Sequence, residues 1–195
     1  MRGLEQIPWL YDAMCAVLER FGLDDWRRWL VAGARGRTLD VGAGTGRNLP
    51  LYTDGVRVVG IEPVWATLAR ARRRAPRTLL VQGRAEALPF RAGAFDTVVS
   101  GLCFCSVGDP ARGLAEVRRV LAPGGRLRML EHVRSLRPWK ARLQDHLQPF
   151  WTRLTGGCHP NRDTELAVAR AGFAIEADGR VAKGDMRRFA ARNGA

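Results

Sequence analysis

The segment Arg37–Val41 reads as a buried strand, and it runs directly into Gly42-Ala43-Gly44-Thr45-Gly46. This strand-to-glycine junction constrains the fold more than any other feature of the chain. Glycine adopts backbone conformations closed to other residues and carries no Cβ, so such a loop lets the main chain approach a ligand closely. Dinucleotide turns space their glycines as Gly-x-Gly-x-x-Gly and seat a pyrophosphate on a helix N-terminus. Here the third glycine comes one residue early. The tighter turn suits a ligand without phosphates. A short helix is expected after it.

The remainder of the chain alternates. Strand patterns at Val56–Ile61, Thr78–Gln82, Phe95–Ser100 and Arg126–Glu131 are separated by helical patterns at Pro63–Arg73 and Pro110–Leu121. Strands alternating with helices predict a parallel sheet covered on both faces. Helices are expected at Trp139–Leu154 and Asn161–Ala171, the latter stopped by Gly172. Two last strands, Phe173–Ala177 and about Met186–Arg192, flank Asp178-Gly179, a hairpin signal that predicts an antiparallel end to the sheet. Before the first strand, Ile7–Phe21 carries apolar residues at helical spacing and Asp24–Val31 forms a second helix. The chain is thus expected to be one domain over residues 1–195, with a helical cap at 1–35 and a ligand-binding core at 36–195.

An open sheet of this kind binds its ligand at the C-terminal ends of the strands, near the switch in strand order. A carboxylate about 20 residues beyond the glycine turn, at the end of the second strand, is suited to a ribose. Glu62 lies there, 22 residues after Asp40.

Four cysteines, at 15, 103, 105 and 158, show no zinc-ligand spacing, and a core of this size needs no disulfide framework. No metal site is expected. No apolar run reaches the ~18 residues that span a bilayer, and Glu5, Asp12 and Glu19 interrupt any leader-like stretch. These features imply a cytoplasmic protein, with peripheral membrane contact left open. The net charge is +13, nearly all of it arginine spread along the chain. It fits either a coding bias, an anionic lipid or acidic substrate, or, less well, a nucleic acid.

Leu39–Gly46, Gly60-Ile61-Glu62-Pro63, Gly83–Phe90, Phe95–Ser100 and Val117–Gly125 together resemble the motifs of class I S-adenosylmethionine (SAM)-dependent methyltransferases, in their small-molecule branch. The resemblance covers residues 9 to about 180. It implies a Rossmann-like, seven-stranded, mostly parallel sheet with helices on both faces and an antiparallel C-terminal strand. It implies SAM as cofactor and S-adenosylhomocysteine as product. By the same resemblance, Asp40 and the loop Gly42, Ala43, Gly44, Thr45, Gly46 face the methionine half, and Glu62 with Pro63 the ribose. Ala85 and Glu86 would face the adenine, Ser100 and Gly101 the methionine side, and Tyr11 would close over the cofactor as a lid or pack in the core. Arg84 stands where many relatives carry Asp, so either Glu86 or the backbone alone reads the ring.

Leu102–Val107, Glu131-His132-Val133, Gln148–Trp151 and Gly157–Thr164 resemble a subgroup that S-methylates alkyl thiols, and also phospholipid N-methyltransferases and quinone C-methyltransferases. All three imply a small apolar or amphipathic acceptor. His132, at the end of the fifth strand, is the candidate base or a structural cap; His159 is a second, weaker candidate. Asn161 or Asp163 is expected to cap the following helix. Cys103 and Cys105 are expected to be buried small hydrophobes, and Trp139, Phe150 and Trp151 to wall an acceptor pocket or pack in the core. Trp9, Trp26 and Trp29 beside Arg27 and Arg28 suit either a membrane interface or helix packing. The competing functions are an RNA methyltransferase and a SAM-binding protein without catalysis.

Overall fold

A computed structural model describes Gly3 and residues 7–194. Glu5, one of the three carboxylates that break the N-terminal apolar pattern, lies outside them. The elements follow in order: α1 (Pro8–Leu18), α2 (Asp24–Ala32), β1 (Arg37–Val41), β2 (Arg57–Glu62), α3 (Trp65–Arg74), β3 (Leu79–Gln82), β4 (Phe95–Gly101), α4 (Pro110–Val120), β5 (Leu121–His132), α5 (Pro138–Thr155), α6 (Thr164–Arg170), β6 (Phe173–Ile175), β7 (Val181–Lys183) and β8 (Met186–Asn193). The strand order is β3-β2-β1-β4-β5-β8-β6, with β7 also paired to β8. β1 to β5 are parallel, and β8 runs antiparallel to β5 from Arg126↔Arg192 to His132↔Met186. This is a Rossmann-like sheet with an antiparallel edge. After β3 the chain crosses to the other side of β1, so the switch in strand order falls between β1 and β4.

The sheet is buried because its central strands are apolar on both faces. Leu39, Val41, Val98, Leu127 and Met129 pack in one cluster with Leu114, Val117 and Val120 of α4. On the opposite face, Val99 and Leu130 pack against Leu30 of α2.

Three local expectations are corrected. The helix foreseen after the glycine loop is only a 3₁₀ turn, Leu49–Leu51. Pro50 lies inside this segment and disfavours helical geometry in the residue before it. The reversal foreseen at Asp178-Gly179 falls instead between β7 and β8, at Gly184 (φ 58°). Asp178-Gly179 is an excursion between β6 and β7, which follow each other along the same edge of β8. β7 itself was not foreseen, so among the described residues the sheet has eight strands rather than seven.

The two N-terminal helices form one capping unit, bent at Phe21-Gly22, where Gly22 has φ 102°. A single buried carboxylate pins it to the core. Asp12 accepts from Thr45 Oγ1 in the glycine loop (2.6 Å) and from Arg70 Nε (2.6 Å) and Arg74 Nη2 (3.1 Å) of α3. Arg47 joins from the loop at 3.3 Å and also pairs with Glu19. Buried Arg27 of α2 donates to Asn48 Oδ1 at 2.8 Å. Arg128 of β5 donates Nε to Leu30 O (2.8 Å) and stacks on Trp29 at 4.0 Å, closing the last turn of α2 onto the sheet. Trp26 and Trp29 are therefore half-buried against Arg128 and Arg188, the packing alternative of the two weighed for them.

Hydrogen bonds from Thr45, Arg74 and Arg70 hold the Asp12 carboxyl down at about 2, against an ordinary value of 3.8, although burial opposes them. A depressed carboxyl stabilises the fold fully above its unfolded pKa and loses that contribution as pH falls through the folded value. Asp12→Asn is expected to cost about 2 kcal/mol near neutral pH. Urea unfolding of both proteins checks this, and the two should converge towards about pH 2.

Candidate functional site

A cavity of about 210 Å³ opens at the C-terminal ends of β1, β2 and β4, beside the switch point. β1 contributes Gly42 and Gly44, β2 contributes Glu62 and Pro63, and β4 contributes Gly101. Tyr11 of α1 closes another side, and Ala85 and Glu86 come from the segment after β3.

The glycine loop is shaped by close approaches. A Cβ on Gly42 (φ 70°) would lie 2.3 Å from Cys103 Sγ. One on Gly46 (φ 80°) would lie 2.9 Å from the Ala71 backbone. A side chain at either position would push the loop off β4's end or off α3. Gly42 and Ala43 donate to Ile61 O at 2.9 and 3.0 Å, which ties the loop to β2.

Glu62 is buried and faces the cavity. Its Oε2 accepts from Gly44 N (3.2 Å) and its Oε1 from Val64 N (3.0 Å). Burial raises its pKa, and the two backbone bonds counter this in part. Asp40 is fully buried beneath the loop and does not line the cavity. Tyr52 OH (3.1 Å) and Asn48 Nδ2 (3.4 Å) donate to its Oδ2, while its Oδ1 has no partner among the described residues. Burial pushes this carboxyl up to about 6.

Glu131, at the end of β5, has no exposed surface. Its Oε1 accepts from Cys103 N (3.2 Å), Phe104 N (3.1 Å) and Ser100 Oγ (3.3 Å), and its Oε2 from Cys105 N (3.2 Å). The loop after β4 is thereby wrapped around one carboxylate. Leu102, at the start of that loop, has φ 55°, a left-handed conformation rare for a branched side chain. It is held there by its N–H bond to Leu130 O (2.7 Å), and it lines the cavity with Cys103, Ser106 and Val107.

Of the residues expected at the site, Tyr11, Gly42, Gly44, Glu62, Pro63, Ala85, Glu86 and Gly101 meet at the cavity. Ala43, Thr45, Gly46 and Ser100 stand behind its wall with Asp40. Glu86 is already engaged: its Oε1 accepts from Gly108 N (3.0 Å) and Asp109 N (3.3 Å), and Arg84 lies 3.8 Å from its Oε2. The two histidines are not brought to the cavity. His132 sits on the far reach of β5 against Cys158, paired across the sheet with Met186. His159 donates its backbone N–H to Cys105 O (2.8 Å) and Nδ1–H to Gly157 O (2.7 Å). Asp163 caps α6, accepting from Leu166 N at 3.0 Å. Cys105 is buried, as expected, whereas Cys103 is half-buried and faces the cavity, its thiol raised by burial. Trp139, Phe150 and Trp151 do not line this cavity; all three are exposed on α5.

Glu131 and Leu102 were missed as site-shaping residues. Glu131 sat inside a quoted motif next to a histidine, and only the fold shows which side chain turns inward. No sequence signal marks a left-handed leucine.

The fold, the glycine loop and the carboxylate at the end of β2 are those of class I methyltransferases, and residues 39–129, just under half of the chain, match the family described as "Methyltransferase domain". Among individual relatives, the chain is 35% identical over 153 residues to thiol S-methyltransferase TMT1A of Homo sapiens, covering 73% of this chain and 63% of that one. It is 38% identical over 160 residues to the demethylmenaquinone methyltransferase of Beutenbergia cavernae, covering 77% and 65%. The chain thus spans somewhat under two-thirds of the length of these relatives. A SAM-dependent methyltransferase structure from Thermotoga maritima superposes with a TM-score of 0.74 at 22% identity, covering 97% of each chain. The cyclase SpnF superposes at 0.69 and 21% identity, covering 89% of this chain and 81% of that one. These two show the fold; chemistry must be argued from the site.

Burial pushes Glu131 up to about 7, from an ordinary value of 4.5. A raised carboxyl binds its proton more tightly in the folded state, so its contribution is full below the unfolded value and is lost as pH rises to the folded one. Unfolding free energy is therefore expected to fall between about pH 5 and 7, and Glu131→Gln to flatten that fall. Glu131→Ala leaves three backbone donors unpaired and is expected to cost about 3 kcal/mol or more. Denaturant titrations across this pH range read both effects.

Proposed function

We propose that this chain transfers a methyl group from SAM to a small apolar or amphipathic acceptor: a thiol, a quinone or a phospholipid amine. The carrying observation is the chemistry of the cavity. At one side it offers a glycine loop and a buried carboxylate. Arg84 and Glu86 line it after β3, and the remaining wall includes Tyr11, Leu102, Cys103, Ser106 and Val107, none of them charged.

The donors present fit the cofactor. Each oxygen of Glu62 spends one lone pair on a backbone N–H and keeps another for a ribose hydroxyl. Asp40 lies behind the cavity wall, and its buried Oδ1, without a partner among the described residues, is suited to a bridging water towards the methionine half. A Cβ on Gly44 would meet only the Gly42 carbonyl, at 3.8 Å, which leaves the loop's face open to a ligand. Ala85 offers an apolar surface to an adenine ring. Because Glu86 is committed to the turn before α4, contact with the ring would fall to the neighbouring backbone and to the remaining oxygen of that carboxylate.

When bound, the cofactor supplies an electrophilic methyl group on a sulfonium. The protein's work is then alignment and exclusion of water. An acceptor's electron pair, the lone pair of a sulfur or nitrogen or the π pair of a reduced quinol's ring carbon, would form the new bond to the methyl carbon while the carbon–sulfur pair leaves with sulfur. A thiolate needs no base; an acceptor bearing a proton releases it afterwards. The rigid loop around Glu131 and the cap pinned through Asp12 would fix the acceptor's approach. His132 and His159 would act on the acceptor only if it reached beyond the cavity wall.

Two relatives support this acceptor class, one named for thiol S-methylation and one for methylation of demethylmenaquinone. Radiolabelled SAM with a panel of an alkyl thiol, a quinol, phosphatidylethanolamine and transfer RNA tests the proposal. Label is expected in at least one of the first three and none in RNA. Methylated RNA, or tight product binding with no transfer to any acceptor, would overturn it.

A further inference from the structure

Two helices that border the cavity turn apolar faces to solvent. On α5, Trp139, Leu143, Leu147, Phe150 and Leu154 follow spacings of four, four, three and four, which places them on one stripe. Trp139 is 63% exposed and Phe150 68%. The buried side of α5 is a different one, formed by Ala141, Gln144 and Thr155. On α1, Trp9, Met14, Val17 and Leu18 point outward, and Phe21, just past its end, is 78% exposed. Its inward side is Asp12 and Cys15. Tyr11 of α1 and Gly156, immediately after α5, both line the cavity.

The charges around these faces are one-sided. Every carboxylate on the two helices is already paired within the chain: Asp12 with Arg70 and Arg74, Glu19 with Arg47 and Arg27, Asp145 with Arg134. Arg137, Arg142 and Arg153 are exposed along α5, and among the described residues none has a carboxylate within 4.0 Å. Exposed tryptophan and phenylalanine, aliphatic neighbours and unpaired arginines make up the pattern of a helix that lies in a membrane interface. The net charge of +13 acts in the same direction. Among the described residues no helix is long and apolar enough to cross a bilayer.

We infer that the outer faces of α1 and α5 dock on an anionic lipid surface, which sets the mouth of the cavity against the bilayer. Apolar side chains enter the headgroup boundary while Arg137, Arg142 and Arg153 meet lipid phosphates. That the acceptor enters from the membrane rests on the acceptor class proposed above; the docking itself does not.

Co-sedimentation with vesicles tests the docking without cofactor or acceptor, so its failure is separate from failure of the enzymatic reading. The purified chain is expected to partition onto vesicles of phosphatidylcholine with phosphatidylglycerol, and much less onto phosphatidylcholine alone. Trp139→Glu with Phe150→Glu is expected to lower the partition coefficient at least about tenfold. Val17→Glu with Phe21→Glu is expected to do the same from the other helix. Leu79→Glu, at an exposed leucine that starts edge strand β3, at the end of the sheet away from the cavity, is expected to leave it unchanged. All variants should keep the wild-type melting temperature. Three results would overturn the inference: no binding to anionic vesicles, equal binding of the helix variants, or a wild-type dimer in light scattering that Phe150→Glu dissociates. The last would assign the face to a second copy of the chain.

Discussion

A carboxylate with no exposed surface holds the candidate site together. Moving an ionised carboxyl out of water costs several kcal/mol, and only hydrogen bonds or a cation offset it. Among the described residues Glu131 forms no ion pair, Arg162 acting on it only through the field; it has four donors, three of them successive backbone N–H groups. The arrangement works in both directions. The loop after β4 satisfies the carboxylate, and the carboxylate gives backbone groups that belong to neither helix nor sheet the partners that buried amides require. With those donors fixed, Leu102 can be held in a left-handed conformation and Cys103 can sit against the Cα of Gly42. The shape of the cavity follows from that contact.

Asp12 plays the corresponding part on the other side, with different physics. It is surrounded by Arg47, Arg70 and Arg74, so its charge is stabilised and its pKa falls. That of Glu131, surrounded by neutral dipoles, rises. One carboxylate binds a cap to the glycine loop through cations; the other binds a loop to the sheet through amides. Several arginines behind the large positive charge are thus structural. Arg27 reaches Asn48, Arg128 closes α2, and Arg162 donates to the carbonyls of Phe104 and Val107 at 2.7 Å. Arg137, Arg142 and Arg153 at α5, like Arg72, Arg73 and Arg77 at the end of α3, are exposed instead.

The parallel part of the sheet was legible because buried strands and amphipathic helices alternate with clear periods, and the glycine turn marks the end of β1. Glu62 was legible because its distance from that turn is set by one strand–helix–strand unit. What escaped depended on tertiary partners. Pro50 replaced an expected helix with a 3₁₀ turn, and Gly184 rather than Gly179 took the hairpin, since Gly179 packs on Trp29. His132 ranked as a candidate base because it ends a central strand. A strand alternates its faces, and the neighbouring Glu131 is the residue that turns towards the β4 loop. Trp139, Phe150 and Trp151 read as pocket wall or core by type; exposure, which no sequence prints, puts them in neither.

The central claim is that the cavity beside the switch point takes the nucleoside of SAM, with Glu62 on the ribose. Calorimetric titration of S-adenosylhomocysteine into wild type and Glu62→Ala is its most direct test. The account predicts saturable one-to-one binding to wild type and an affinity at least about tenfold weaker in the variant, with the melting temperature of the unliganded protein kept. Equal affinities, or no binding to wild type, would contradict it.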